Sequence, residues 1–357
     1  MANIFDYLND VAYDSFYDLP VNELDVLCLT ELTYLPFDDI VAQEPKRLID
    51  LTPQIPRDTT MLTNKNRLQL LDQLAQHKRF KNCKLSDFIN DIDPELQKQF
   101  AAMTYRISLD TYLLVFRGTD DSIIGWKEDF HMTYMKEIPA QKHALQYLQD
   151  FFAQYPNQKL VLAGHSKGGN LAVYAASQLD PLLQKSIVAV YTFDAPGLHK
   201  ELTETAGYQN MMERTKVFIP QGSIIGMMLE IPDKKIVVRS TALGGLAQHD
   251  TFSWQVEDKH FVQLDETNSD SQQVDTTFKE WVETVPDEEL QLYFDLFFGI
   301  ILDAGISSIN DLSSFKVIEH IHHLFVQAQS LTPEERETMG RLTQLLIDTR
   351  YQAWKNR

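Results

Sequence analysis

One short segment of the sequence combines residue types and a spacing that could form a nucleophilic site. The run from Leu162 to Gly169 contains the pattern G-x-S-x-G, with an apolar strand-like stretch before it and a helical pattern rich in Ala and Leu after it. A serine at such a sharp strand-to-helix turn exposes its hydroxyl, because Gly164 and Gly168 let the strand and the helix approach closely. The backbone N–H of Lys167, at the helix start, can then face a developing oxyanion. The pattern predicts Ser166 as a nucleophile; a glycine-rich packing turn is the alternative.

A serine nucleophile needs a general base, and ten histidines compete for that role. His249 lies in a glycine-containing loop directly after the last predicted strand, later in the chain than Ser166, which is the order found in hydrolases with this turn. His260 is the second choice. His165 directly precedes the serine, so its side chain should point away from it and should have a structural role. We therefore predict His249 as the base.

The acid that would orient the histidine is less clearly marked in the sequence. Asp194 ends the predicted strand that follows the serine's helix, and the carboxyl end of that strand should face the same cleft. A carboxylate there can orient an imidazole and stabilise its cation. Glu230 and Asp233, in the next connection, are the alternatives. The non-catalytic role open to Asp194 is that of a turn or helix-capping aspartate.

These residues need a scaffold in which strands alternate with helices. Short alternating or apolar runs predict strands at 103–108, 111–116, 159–163, 186–193, 216–219 and 235–239, and amphipathic patterns predict helices at 140–155 and 167–179. This alternation predicts an α/β fold with a largely parallel sheet and functional loops at the carboxyl ends of its strands. Thr119 follows the strand at 111–116 and can supply a second oxyanion donor through its backbone N–H and its hydroxyl.

The chain divides into three predicted parts. Residues 1–100 should form a mostly helical N-terminal segment that packs on the core, because apolar residues recur there at helical spacing. Residues 101–265 should form the core that carries the site. Residues 266–357 should form a helical extension, with strong helix starts at Pro286-Asp287 and Thr332-Pro333.

Composition and charge narrow the possible partners. The 357 residues include 32 Lys and Arg against 51 Asp and Glu, a formal net charge of −19. This excess of negative charge repels phosphate backbones and anionic lipid surfaces, which argues against nucleic acid as a partner. The two cysteines, Cys28 and Cys83, fit a reducing compartment. We see no secretory signal and no apolar run of the ~20 residues that a spanning helix needs. The sequence thus predicts a cytoplasmic protein without integral membrane association.

Several of these segments together resemble one known family. Phe116-Arg117-Gly118-Thr119, followed by Gly125-Trp126-Lys127-Glu128-Asp129, is similar to the FRGT…W..D signature of class-three lipases. The serine turn and the strand end at Asp194 follow at that family's spacing. The resemblance covers roughly residues 103–256 and is closest to an uncharacterised bacterial lipase-like branch. It implies an α/β-hydrolase fold, hydrolysis of carboxylic esters, and a set of roles: Ser166 as nucleophile, His249 as base, and Thr119 and Lys167 as the oxyanion hole.

One position departs from the family's pattern. Class-three lipases carry their acid just after the strand that corresponds to 216–219, where this sequence reads Pro220-Gln221-Gly222-Ser223 and has no carboxylate. Two hypotheses follow from this gap. Either Asp194 supplies the acid, or the triad is incomplete.

The sequence therefore predicts a serine hydrolase that cleaves carboxylic esters through an acyl-enzyme, with no metal or organic cofactor. The expected substrate is an acyl ester, either a small molecule or a lipid. An apolar, Met-rich stretch between the acid and base loops could form an acyl-chain wall or a lid, and a buried core segment is the alternative; its candidate residues are Ile224, Ile225, Met227 and Met228. The rival functions are a thioesterase and a catalytically silent hydrolase fold that acts as a binding or scaffold protein.

Overall fold

A mixed β-sheet forms the centre of the molecule. The computed structural model describes residues 2–59, 64–120, 123–232, 234–306 and 327–355. Within these ranges the strands are β1 Lys46–Arg47, β2 Lys84–Asp93, β3 Lys98–Arg106, β4 Thr111–Phe116, β5 Lys159–His165, β6 Ile187–Phe193, β7 Thr215–Pro220, β8 Lys235–Val238, β9 Val256–Glu257, β10 His260–Phe261 and β11 Gln263–Leu264. Strands β9 and β10 pair only with each other, and the other nine form the central sheet.

The order of the central strands brings five carboxyl ends to one edge. The order is β1-β2-β3-β4-β5-β6-β7-β8-β11. Strands β4 to β8 pair in parallel, whereas β1 to β3 and β11 add antiparallel pairs at the two sides. Loops that leave β4 to β8 therefore converge, as expected for a parallel sheet with a site at its carboxyl edge.

Helices cover both faces of the sheet. They are α1 Ile4–Asp10, α2 Glu23–Leu32, α3 Leu48–Leu51, α4 Asn64–Gln76, α5 Ile123–His131, α6 Pro139–Gln154, α7 Lys167–Gln178, α8 Pro181–Gln184, α9 Lys200–Thr203, α10 Ala206–Met212, α11 Ser269–Thr284, α12 Asp287–Asp303 and α13 Pro333–Lys355. None of the described helices is long and apolar enough to cross a membrane.

Alternate residues of the central strands enter two separate cores. In β4, Leu113 and Val115 pack in the core beneath α2, whereas Tyr112 and Leu114 pack in the core beneath α6 and α7. Successive strand side chains point to opposite faces, so a strand with helices on both faces must be apolar at nearly every position. That requirement explains the continuous apolar runs in the sequence.

The N-terminal segment differs from the sequence expectation of a mostly helical first hundred residues. Helices extend only as far as Gln76, and β2 and the start of β3 follow, joined by a tight turn in which Gln97 has a φ of 49°. Strand β2 contains three aspartates and an irregular pairing between Ser86 and Ile89. Aspartate is rare in strands and the irregularity interrupts the two-residue alternation, so the sequence pattern of this strand is weak.

Helices α11 and α12 pack on α5 rather than directly on the sheet, and α13 packs on α11 and α12. Phe130 of α5 lies against three aromatic rings, with ring centroids 6.4 Å away for Phe278, 4.8 Å for Phe294 and 5.5 Å for Phe298. The Lys127 ammonium also lies 2.7 Å from Asp295 of α12. Because α5 directly follows the loop after β4, this helical layer is anchored beside the sheet's carboxyl edge.

A buried ion pair ties α2 to the rest of the N-terminal segment. Asp25 and Arg79 have fully buried side chains, and the Nη2 of Arg79 lies 2.5 Å from Oδ2 of Asp25. The Tyr7 hydroxyl donates to the other carboxylate oxygen over 2.6 Å. A buried carboxylate and guanidinium depend on each other, because either charge alone would be desolvated without compensation.

Replacing Asp25 with alanine should lower the free energy of unfolding by ~3–5 kcal/mol, since it leaves the buried Arg79 unpaired. Equilibrium denaturation in urea measures this difference. Asp18→Ala is the matched control: it removes an exposed carboxylate 3.8 Å from Lys78 and should have little effect. Equal losses in the two variants would contradict the structural importance of the buried pair.

Candidate active site

Ser166 lies at a strained turn between β5 and α7. Its φ of 57° and ψ of −137° place a non-glycine residue in the left-handed half of backbone space. Two glycines permit this turn. A Cβ on Gly164 would lie 2.0 Å from the carbonyl carbon of Gly168, and a Cβ on Gly168 would lie 2.0 Å from the Phe116 carbonyl oxygen. The turn is the nucleophile-elbow geometry that the G-x-S-x-G pattern predicts.

Asp194 lies beside this turn, at the end of the neighbouring strand β6. The Ser166 N–H donates to the Phe193 carbonyl oxygen over 3.0 Å, and the Asp194 N–H donates to the Phe218 carbonyl oxygen over 2.8 Å. Asp194 also has a left-handed backbone, with a φ of 45°. Its side chain is completely buried, so the carboxylate requires polar partners.

The structure brings Asp194 and His249 together. Nδ1 of His249 lies 2.6 Å from Oδ2 of Asp194, although the two residues are 55 positions apart. A carboxylate only accepts, so the Nδ1–H of His249 donates to Asp194. The other ring nitrogen, Nε2, takes no part in this hydrogen bond. The His249 side chain is about one-fifth exposed, whereas Asp194 is fully enclosed.

Ser223 is a residue of the candidate site that the sequence analysis did not predict. Its hydroxyl donates to Oδ1 of Asp194, and the Gly226 N–H donates to the same oxygen over 3.2 Å. Ser223 stands where class-three lipases would carry an acid, directly after β7. The sequence analysis noted that no carboxylate follows this strand. The serine hydroxyl in its place is the signal that could have identified Ser223 as a partner of the acid. Both oxygens of Asp194 are thus engaged.

Glu230 and His260, the alternatives to Asp194 and His249 that the structure describes, have other partners. Glu230 pairs through its backbone with Leu198, to which its N–H donates over 3.1 Å. Asp233 lies outside the described residues. His260 is largely exposed, and its Nδ1 lies 2.7 Å from Oε1 of Glu23 in the N-terminal segment.

No hydrogen bond joins the side chains of Ser166 and His249 among the described residues, although a neighbour of the serine contacts the histidine ring. The ring of His165, the residue next to Ser166, lies 4.4 Å from the His249 ring. Hydrogen bonds between a nucleophile and its base are often long or poorly aligned before substrate binds.

The two predicted oxyanion donors flank Ser166. A Cβ on Gly118 would lie 2.9 Å from the Ser166 Cβ, so the loop that carries Thr119 closely approaches the serine. The Thr119 hydroxyl donates to Oδ2 of Asp129 over 2.7 Å, which holds the loop against α5. Lys167 is the first residue of α7, where the backbone N–H has no intrahelical partner.

The sequence analysis also did not predict a role for the side chain of Lys167, which supports the serine turn. It is fully buried, and its ammonium donates to Oε2 of Glu128 over 2.7 Å and to the carbonyl oxygen of Gln99 over 3.1 Å. The Glu128 carboxylate also accepts the N–H of Gln99 over 3.0 Å and of Ala140 over 3.2 Å. A buried ion pair thus joins the serine turn to α5, β3 and α6.

Asp129 has an unusual environment beside these groups. Burial raises the pKa of its carboxyl to about 6, although the nearby Lys167 and the Thr119 hydroxyl act in the opposite direction. Oδ1 of Asp129 has no hydrogen-bond partner among the described residues, and the Lys167 ammonium lies 3.7 Å from it. The charge of this carboxylate is therefore poorly compensated.

The four predicted substrate-contacting residues lie in the loop after β7. Ile224 and Ile225 are half-buried, and Ile224 would contact a Cβ added at Gly245 of the His249 loop. Met227 is buried among apolar residues of β7 and β8, and Met228 is half-buried. Ile224 thus lies against the His249 loop, while Met227 contributes to the core.

A metal centre is not apparent in the described ranges, where no group of three or more His, Cys, Asp or Glu side chains could hold an ion.

Comparisons with known proteins give one family model and several solved structures of low sequence identity. The Mbeg1-like family model matches residues 74–299. A variant of MDLA from Penicillium cyclopium is 15% identical with a TM-score of 0.45, and the match covers 69% of this chain and 87% of that chain. The mono- and diacylglycerol lipase from Aspergillus oryzae has the same identity and coverage, with a TM-score of 0.42. A lipase from Rhizopus microsporus var. chinensis is 16% identical with a TM-score of 0.36, covering 58% of this chain and 72% of that one. No curated protein matches the chain significantly.

The parallel strands β4 to β8, the serine turn and the convergent strand ends define an α/β-hydrolase fold, which confirms the fold class predicted from the sequence. More than half of the chain matches the family model, and the chain belongs to the Mbeg1-like family. The bacterial branch suggested by the sequence stays a prediction.

The raised pKa of Asp129 gives a prediction for stability against pH. Its folded pKa of about 6 exceeds the ordinary value of 3.8, so the folded protein binds more protons between these values. Stability should therefore fall as the pH rises from about 4 to about 6, by ~3 kcal/mol for this group, and then level off.

Denaturation of the wild type and of Asp129→Asn across this pH range measures the contribution. The variant should gain stability relative to the wild type as the pH rises. Asp110→Asn is the control, because Asp110 is exposed and hydrogen bonds from Ser108 and Thr111 lower its pKa. A pH-independent difference between wild type and D129N would contradict the raised pKa.

Proposed function

We propose that this protein is a serine hydrolase that cleaves carboxylic esters through an acyl-enzyme. The observation that carries the proposal is the 2.6 Å contact between His249 and the buried Asp194, beside a serine at an elbow turn. A nucleophile, a base and an orienting acid in this arrangement constitute the machinery of acyl transfer.

In the first step His249 acts as general base. Nε2 takes the proton of the Ser166 hydroxyl while Oγ attacks the ester carbonyl carbon, and Asp194 stabilises the imidazolium that forms. The negative charge that develops on the carbonyl oxygen is stabilised by the backbone N–H groups of Thr119 and Lys167. The alcohol leaves with the proton from His249, and the acyl group remains on Ser166.

In the second step water releases the acid. His249 removes a proton from a water molecule that attacks the acyl-enzyme, and the same donors stabilise the second oxyanion. The proton then passes to Ser166 Oγ, which restores the free enzyme. Every proton in the cycle is carried by His249, and the proposed reaction requires no organic cofactor or metal.

The two carboxylate oxygens of Asp194, the proposed acid, have different hydrogen-bond partners. Oδ2 accepts from His249, while the Ser223 hydroxyl and the Gly226 N–H hold Oδ1. These hydrogen bonds replace the water that the buried carboxylate lacks, and they also fix its direction. We propose that Ser223 thereby compensates for the missing carboxylate after β7.

The substrate that we propose is an acyl ester, either a small molecule or a lipid, with Ile224, Ile225 and Met228 as part of an acyl-chain wall. The net charge of −19 disfavours adsorption to strongly anionic surfaces. Two free, buried cysteines support a cytoplasmic location.

The proposal is tested by hydrolysis of p-nitrophenyl esters of increasing acyl length, with the matching thioesters in parallel. Ser166→Ala should abolish turnover, and Asp194→Asn should lower kcat by ~10³–10⁴ with an unchanged melting temperature, because the imidazole loses its orienting acceptor. Asp110→Asn, an exposed carboxylate elsewhere, is the control. If the turnover of D194N stayed within about threefold of the wild-type turnover, Asp194 would be excluded as the acid.

Ser223→Ala provides a graded test of the same arrangement. The variant keeps His249 and Asp194 but removes one donor to Oδ1, so kcat should fall about tenfold with little change in KM. Ser253→Ala, which removes another loop hydroxyl beyond His249, is the control. If the kcat of S223A equals that of the wild type, Ser223 has no part in holding the acid.

The substrate series also separates the rival functions. Preference for thioesters would favour a thioesterase, and inactivity of the folded wild type on all substrates would favour a binding protein.

A further inference from the structure

A chain of hydrogen bonds runs beneath the proposed site from one catalytic loop to the other. The Gly118 N–H donates to the Tyr34 hydroxyl oxygen over 3.1 Å, and that hydroxyl lies 3.2 Å from Nδ1 of His165. At the other side of the ring, Nε2 of His165 lies 3.0 Å from the carbonyl oxygen of His249. The chain therefore begins beside Thr119 and ends at the proposed base.

The direction of each bond follows from the chemistry of the groups. A carbonyl oxygen only accepts, so Nε2 of His165 carries the proton and donates to His249. Complete burial lowers the pKa of His165 far below its usual value and keeps the ring neutral, so Nδ1 is an acceptor. The Tyr34 hydroxyl then donates to Nδ1 while its oxygen accepts from Gly118. It also lies 3.4 Å from the His165 carbonyl oxygen, a weaker second acceptor.

Helix α2 and its neighbours hold this chain in place from below. Glu31, which is almost fully buried, accepts from the Thr251 hydroxyl over 2.9 Å and from Nε of Arg67 over 3.0 Å. The Arg67 guanidinium also lies over the Tyr34 ring, 3.9 Å from its centroid. Since Thr251 follows His249 by two residues, the base loop has two attachments to this network.

We propose that Tyr34 and His165 are positioning residues that hold the Thr119 loop and the His249 loop in a fixed relation to Ser166. The inference rests on the function proposed above, because it assigns the two loops their catalytic roles. The geometry itself is independent of that function. If the chain is broken at Tyr34, both loops should loosen together, although among the described residues the Tyr34 hydroxyl hydrogen-bonds directly to only one of them, through Gly118.

Tyr34→Phe removes the hydroxyl and keeps the ring. Hydrogen–deuterium exchange followed by mass spectrometry should show faster exchange in both segments, 116–120 and 245–251. With p-nitrophenyl butyrate, kcat should fall about tenfold and KM should stay within about twofold, because reacting groups rather than substrate contacts are displaced. Tyr105→Phe is the matched control: it removes another buried hydroxyl, 2.8 Å from Thr33, and should leave exchange in both segments and kcat unchanged.

A second pair of variants covers the case in which Tyr34→Phe fails to fold. The amide of glutamine in His165→Gln can reach the place of Nε2 and donate to the His249 carbonyl, whereas the shorter amide in His165→Asn reaches only the place of Nδ1. H165Q should therefore keep more of the exchange protection of segment 245–251, and more of kcat, than H165N. Equal behaviour of the two variants would overturn the proposal.

The two readouts separate this proposal from the proposed function. Faster exchange confined to 116–120 in Tyr34→Phe, or an unchanged kcat, would overturn the linkage even if the wild type hydrolyses esters. A wild type that hydrolyses no ester would contradict the proposed function. In that case faster exchange in both segments, 116–120 and 245–251, would still support the linkage between them.

Discussion

The buried carboxylate of Asp194 is the group on which the proposed site depends. It has no solvent contact, so its charge must be compensated by hydrogen bonds, and each of its oxygens has its own partners. One oxygen holds His249 in a single orientation, and Ser223 and Gly226 hold the other. The parallel strands β6, β7 and β8 are needed because they bring three distant loops to one carboxylate. The left-handed backbone of Asp194 aims the side chain at that meeting point.

Much of this site could be predicted from local sequence, because the serine turn depends on residues close together in the chain. Gly164 and Gly168 are required because a Cβ at either position would lie about 2 Å from a neighbouring backbone atom, and a glycine pattern reports such close approaches directly. The strands β4 to β8 were equally predictable, since burial on both faces requires continuous apolar runs. Strand β2 was not, because its aspartates and irregular pairing weaken the period of two.

The contributions that the sequence did not reveal come from contacts between distant residues. Ser223 is an ordinary loop serine until β6 and β7 place it against Asp194, and Lys167 looks like a solvent-exposed helix start until Glu128 is seen beside it. The N-terminal helices are a further case. Tyr34 contributes to the support of the site from 131 residues away in the chain, at a distance that no local pattern can report.

The central claim is that His249 and Asp194 activate Ser166 as a nucleophile. Labelling with a fluorophosphonate probe, followed by peptide mass mapping, tests it most directly because the result does not depend on choosing a substrate. The account predicts one probe per chain on the peptide that contains Ser166 in the wild type, and no labelling of folded Ser166→Ala or His249→Ala. An unlabelled, folded wild type, or a probe attached at another residue, would contradict it.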